Sequence, residues 1–110
     1  MMPRFAIVMR TNIEKLDDKT TFLKNTSQYL SKRLETEEKS LSLELQTGVC
    51  IMRGGSMDKA FNIDIHHNTD SVDKVTKVQI AEDIATFINK ELNINIDKTL
   101  VLFFDTRKCS

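Results

Sequence analysis

The sequence predicts an α+β fold: two βαβ repeats forming a four-stranded, mostly parallel sheet with two helices on one face. Short apolar segments of strand period alternate with longer segments of helical period. The strand–helix–strand pattern occurs twice. Corresponding residues lie 56 to 59 positions apart, as in Phe5 and Phe61, Leu30 and Ile88, and Leu41 and Leu100. No linker or composition shift divides the 110 residues, so both repeats share one domain, residues 1–110, and one core.

Phe5 to Met9 is the first strand candidate, with Pro3 at its head, where proline costs no ladder bond, and Thr11-Asn12 at its close. Asp17-Asp18 starts the first helix, in which Phe22, Leu23, Leu30 and Leu34 recur at helical spacing. Leu41, Leu43 and Leu45 then alternate with Ser42 and Glu44, which is strand period. Val49 to Met52 offers a short fifth strand before "RGGS", whose glycines suit a tight turn and lack the length and lysine of a phosphate loop.

The second repeat follows. Phe61, Ile63 and Ile65 alternate with Asn62, Asp64 and His66. Asp73 opens a long helix, and Ile80, Ile84, Phe87, Ile88 and Leu92 form one apolar stripe along it. The unbroken apolar run Leu100 to Phe104 is expected of a strand buried on both faces. Right-handed crossovers put both helices on the same side and leave the other sheet face bare. A chain this short has nothing left to cover that face, so oligomerisation is expected.

Sixteen basic and sixteen acidic residues leave no footprint for nucleic acid and no polybasic arm for a membrane. No apolar stretch reaches the length of a membrane span, and Arg4 interrupts the start before a secretory apolar region can form. Cys50 and Cys109 have neither metal spacing nor a disulfide framework and read as reduced thiols of a cytoplasmic protein, Cys50 as a small buried residue. Any release from cells would use a route other than a signal peptide. The five methionines are scattered and read as core and edge packing. His66 and His67 point to opposite faces of their strand and are the only histidines, so no metal site is expected. "KRLETEEK" at 32–39 mixes signs and reads as a solvated helix end and loop.

An opening Met-Pro, a strand ending in Thr11-Asn12, Phe22-Leu23 in the first turn of helix one, and Gly54-Gly55-Ser56 form an ordered set. With a last strand reached through "NIDKTLVLFFD", they resemble the macrophage migration inhibitory factor family of the tautomerase superfamily. The resemblance runs from Thr11 to about Asp105. It implies a cytokine-like homotrimer whose sheets line a central channel, with a protein receptor and a small aromatic enolisable acid as partners and no cofactor. The "RGGS" segment would border the subunit contact.

The resemblance also implies keto–enol tautomerisation of phenylpyruvate- or dopachrome-like acids. An N-terminal proline amine, its pKa lowered by an apolar pocket, shuttles the proton. A lysine after the first helix, a backbone amide after the third long strand, and tyrosine and asparagine side chains from a neighbouring subunit's last strand support it. Carried onto this chain, the catalytic amine falls on Pro3, provided the first strand holds two extra residues; gap-free counting puts Phe5 there. Thr36 stands at the lysine, Asn68 near the amide, and Leu100 and Leu102 at the tyrosine and asparagine. With Met1 and Met2 both retained, the Pro3 nitrogen is an amide without a basic lone pair. Three readings follow: a cytokine-like binding protein with tautomerase activity weak or lost, an active tautomerase using Pro3 as its base, or a ferredoxin-like small-molecule sensor sharing only the topology.

Overall fold

The computed structural model describes residues 4–108, so the readings that fall on Pro3 and Cys109 lie outside the described residues. The elements run β1 (Phe5–Thr11), α1 (Lys19–Arg33), β2 (Leu41–Gln46), β3 (Phe61–His67), α2 (Thr76–Leu92) and β4 (Thr99–Asp105). The sheet order is β2-β1-β3-β4. Within each repeat the strands are parallel. The repeats meet at an antiparallel β1–β3 junction that pairs Phe5 with His67 and Thr11 with Phe61. The anticipated doubling is therefore present as two head-to-tail βαβ units.

Central strands bury one face completely. Phe5, Ile7 and Met9 on β1 and Phe61, Ile63 and Ile65 on β3 form the core floor, and Phe22, Leu30, Ile80, Ile84 and Ile88 descend on it from the helices. Phe22 meets Phe61 edge-on, with centroids 6.2 Å apart. The two helices are tied to each other as well. Tyr29 stacks on Phe87 at 4.2 Å, and Arg33 Nε donates to Asp83 at 2.7 Å.

Helix ends follow their capping chemistry. Asp18 accepts from the Thr21 amide at 3.0 Å and starts α1. Asp73 accepts from the Val75 and Thr76 amides at 2.9 and 2.8 Å, while its carbonyl accepts from the Lys77 amide. It therefore caps α2 although regular helix begins at Thr76. Asn93, with φ 55°, closes α2 in the left-handed region that asparagine tolerates.

The Thr11-Asn12 pair has a structural task. Buried Thr11 Oγ1 donates to the Ala60 carbonyl at 2.7 Å, and Asn12 Oδ1 accepts from the Ala60 amide at 2.9 Å. Asn12 Nδ2 also donates to the Asp58 carbonyl at 2.9 Å. The dipeptide thus staples the long connection that delivers β3 beside β1.

Three expectations are corrected. Val49–Met52 forms no strand: its Val49 amide donates to the Thr11 carbonyl at 3.0 Å, just past the end of the sheet, and no ladder follows. Beyond the sheet, one bridge between Arg53 and Ser56 closes a two-residue turn in which Gly54 and Gly55 have φ of 60° and 77°, angles that suit glycine. Cys50 is exposed rather than buried, and of the described methionines only Met9 is in the core; Met52 and Met57 are exposed. Finally, β4 is an edge strand, not one buried on both faces within the chain. Val101 and Phe103 pack toward the helices, while Leu100, Leu102 and Phe104 remain 41%, 41% and 37% exposed on the opposite face.

Candidate functional site

The start of β1 forms one wall of a cleft. The Arg4 amide donates to the Ser40 carbonyl at 3.0 Å, continuing the β1–β2 ladder by one residue. Arg4, Ser31, Lys32, Glu35, Thr36, Glu37 and Ser40 line the cleft where the chain leaves α1 and enters β2. Two bonds to Ser31 set the position of Thr36: its amide donates to the Ser31 carbonyl at 2.9 Å, and Ser31 Oγ donates to the Thr36 carbonyl at 2.7 Å. Glu35 turns the chain there with φ 52°, a left-handed conformation. Glu37 is paired with Lys39 at 3.2 Å.

Asn68 lies at the same end of the sheet, because it follows His67 and His67 is opposite Phe5. Its turn is firmly held. His67 is 2% exposed, and its Nδ1 lies 3.2 Å from the Thr69 carbonyl, to which it donates when it carries the ring proton. The His67 carbonyl accepts from the Thr106 amide at 2.8 Å. Arg107 then bridges two carboxylates, reaching Asp70 at 2.8 Å and Asp105 at 2.9 Å. The end of the described chain thereby clips the turn that carries Asn68.

Hydrogen bonds from the Arg107 side chain hold the Asp105 carboxyl well below the usual carboxylate range, aided by the Arg107 amide and by charge attraction. A carboxyl depressed in the folded state stabilises the clip fully above its unfolded pKa, about 3.9. That contribution fades as pH falls toward the folded value. The stability difference between the parent and Arg107→Met should thus be constant near neutrality and shrink progressively below about pH 4 in acid-dependent urea melts. A difference independent of pH would contradict the clip.

Leu100 and Leu102 stand apart. They occupy the open face of β4, in register with Asn62 and Asp64, on the sheet edge opposite β2 and the Thr36 cleft. Around them the open face is mixed: Arg10 pairs with Asp64 at 2.8 Å, and His66 stacks on Phe104 at 4.9 Å. One chain thus gathers Arg4, Thr36 and Asn68 at one sheet end and does not bring Leu100 or Leu102 to them. Phe5, the position reached by gap-free counting, is 1% exposed and part of the core. Arg4 was not among the residues that sequence pattern pointed to. Its only signal was a cation next to Pro3.

Chemically, the cleft presents two cations, Arg4 and Lys32, two carboxylates, Glu35 and Glu37, and the Thr36 side chain. Leucines at 100 and 102 have no hydrogen-bond donors with which to stabilise a developing enolate.

This doubled βαβ sheet, with its cleft at the head of β1, has the architecture of the tautomerase-like folds. The chain belongs to the macrophage migration inhibitory factor family, whose sequence profile matches residues 2–110. No curated protein gives a match. Among solved structures it is similar to a macrophage migration inhibitory factor homologue from Prochlorococcus marinus, with a TM-score of 0.82 and 21% identity over 91% of this chain and 87% of that one. The macrophage migration inhibitory factor from Trichinella spiralis is similar at 0.82 and 18% identity, over 91% and 88% of the two chains. That from Oncomelania hupensis follows at 0.79 and 17%, over 90% and 71%. At these identities the structures establish the shared fold. Family membership displaces the ferredoxin-like sensor reading.

Proposed function

We propose that the protein is a trimeric, cytokine-like binding protein of this family in which tautomerase activity is weak or lost. One observation supports this most: the positions that would complete the catalytic pocket are Thr36, Leu100 and Leu102. None offers a positive charge, and the leucines offer no donor. The assembly would cover the apolar row Leu100, Leu102 and Phe104 on β4. No described helix is long and apolar enough to cross a membrane. A cytoplasmic protein, released without a signal peptide and recognised by a protein receptor, fits this reading.

A second reading, an active tautomerase with Pro3 as general base, has one observation in its favour. Arg4, the residue after Pro3, lines the cleft that also contains Thr36. One assay separates the two. With Met1 and Met2 kept, phenylpyruvate tautomerisation should be essentially absent, since an acylated nitrogen accepts no proton. A form beginning at Pro3 restores an amine with a reference pKa of about 8 before burial. Its turnover should still be weak, because each missing oxyanion donor typically removes about 2.7–4 kcal/mol of transition-state stabilisation. Robust turnover by the trimmed form, abolished by Pro3→Gly, would make the protein a working tautomerase. Robust turnover by the untrimmed form would overturn the amine argument itself.

A further inference from the structure

We infer that His66 makes assembly through the open sheet face pH-sensitive: copies of this chain stay together while its imidazole is neutral and separate when it is protonated. The inference rests on the proposed reading that this face meets its neighbours in a trimer.

Strand register sets the position of His66. It stands opposite Ala6 on β1 and Phe104 on β4, and its ring lies against Phe104 with centroids 4.9 Å apart and planes 18° from parallel. Phe104 ends the apolar row that also holds Leu100 and Leu102, and it is 37% exposed. A neighbouring chain that covers Phe104 therefore closes over the half-buried imidazole stacked on it.

The charges around the ring are balanced. By strand alternation this face carries Arg4 at the head of β1, Arg10 on β1, Glu44 on β2 and Asp64 on β3, while β4 adds only apolar side chains. Two cations thus meet two carboxylates. A face with an apolar row and no net charge can pack against copies of itself without repulsion. Both carboxylates are engaged: Asp64 accepts from Arg10 at 2.8 Å, and Glu44 accepts from the Gln46 side chain at 2.9 Å. A protonated His66 therefore finds no uncommitted counter-ion on its own face.

Protonation upsets this balance. Each chain gains a charge where apolar surface is to be covered, and the symmetry of a trimer repeats that charge around one axis. Burying an imidazolium without a counter-ion is costly, whereas in the separated chain it stays in water. The Phe104 ring attracts the cation in both states and does not offset the difference. His67, the other histidine, is 2% exposed within the single chain, so its surroundings are the same before and after assembly. Separated chains thus bind more protons than the assembly, and association strengthens as pH rises through the histidine range. Keeping a histidine neutral one unit below its ordinary pKa of about 6.5 disfavours the assembled form about tenfold per chain.

Fluorescence-detected sedimentation velocity, over serial dilution of the full chain at pH 7.5 and 5.5, tests this. Ordinary carboxylates stay ionised across that interval. The concentration at which the parent trimer is half dissociated should rise at least about tenfold at pH 5.5 and recover at pH 7.5, with far-ultraviolet circular dichroism unchanged. His66→Phe keeps the ring stack without a titratable nitrogen and should have the same midpoint at both pH values. His66→Gln should be equally insensitive to pH. A parent trimer with one midpoint at both pH values would overturn the role of His66 alone, as would an undiminished pH response in both variants. A parent that is a single chain at pH 7.5 and micromolar concentration would overturn this inference together with the trimer reading.

Discussion

Ile88→Ala is expected to destabilise the protein by about 2–5 kcal/mol, the usual cost of truncating a buried aliphatic side chain. Ile88 is 1% exposed and lies in the middle of the α2 stripe, between Ile84 at 1% and the partly buried Leu92. Beneath it are the buried faces of β1 and β3, whose close-packed side chains have little freedom to collapse into the space left behind. The loss therefore combines missing transfer energy with an unfilled cavity. A matched control is available on the same helix: Val78 is 62% exposed, and Val78→Ala should change stability by less than about 0.5 kcal/mol. Urea unfolding of the two variants reads the contrast directly. A change of only a few tenths for Ile88→Ala would mean that α2 does not present this stripe to the sheet.

A second large effect is expected at the opposite face. Leu102→Lys should dissociate the assembly while leaving the single-chain fold intact. In one chain Leu102 is 41% exposed and contributes to no part of the core, so a charge there is tolerated. In an assembled protein the same position would be covered by a neighbouring chain. An ammonium buried against apolar surface would then cost several kcal/mol per subunit. The expected outcome is unchanged far-ultraviolet circular dichroism with a mass that falls to one chain. Unchanged mass would show that the apolar row of β4 faces solvent in the native state.

These contrasts explain how much was legible in the sequence. The doubled βαβ order, the alternation along β1 and β3 and the stripe of α2 were all readable, because residues buried on one face impose periods of two or 3.6 on the chain. Thr11-Asn12 stood out as a motif, but its reason lies in bonds to Ala60, nearly fifty residues away, which no local pattern encodes. Val49–Met52 has strand composition but joins no edge of the sheet, and Cys50 is exposed. The apolar run of β4 misled for a related reason. Its Val101 and Phe103 are apolar for the core within the chain, whereas its Leu100, Leu102 and Phe104 lie on the open face of the sheet.

The candidate site was legible in part. Thr36 and Asn68 could be placed by counting along the family pattern, and both lie at the end of the sheet where β1 begins. Arg4 could not, since a single cation at a strand end has no periodicity. Its place in the cleft comes from the Ser40 ladder bond, which sets the head of β1 beside Thr36. Charge balance over a cleft is a three-dimensional property, invisible in a chain whose sixteen cations and sixteen anions cancel overall.

The most direct test of the account is the mass of the native protein in solution, because the proposed function places the apolar row of β4 in a trimer contact. Light scattering coupled to size exclusion should give about three times the 12.6 kDa chain mass, unchanged on dilution through the micromolar range. A monodisperse species at the mass of one chain would contradict it.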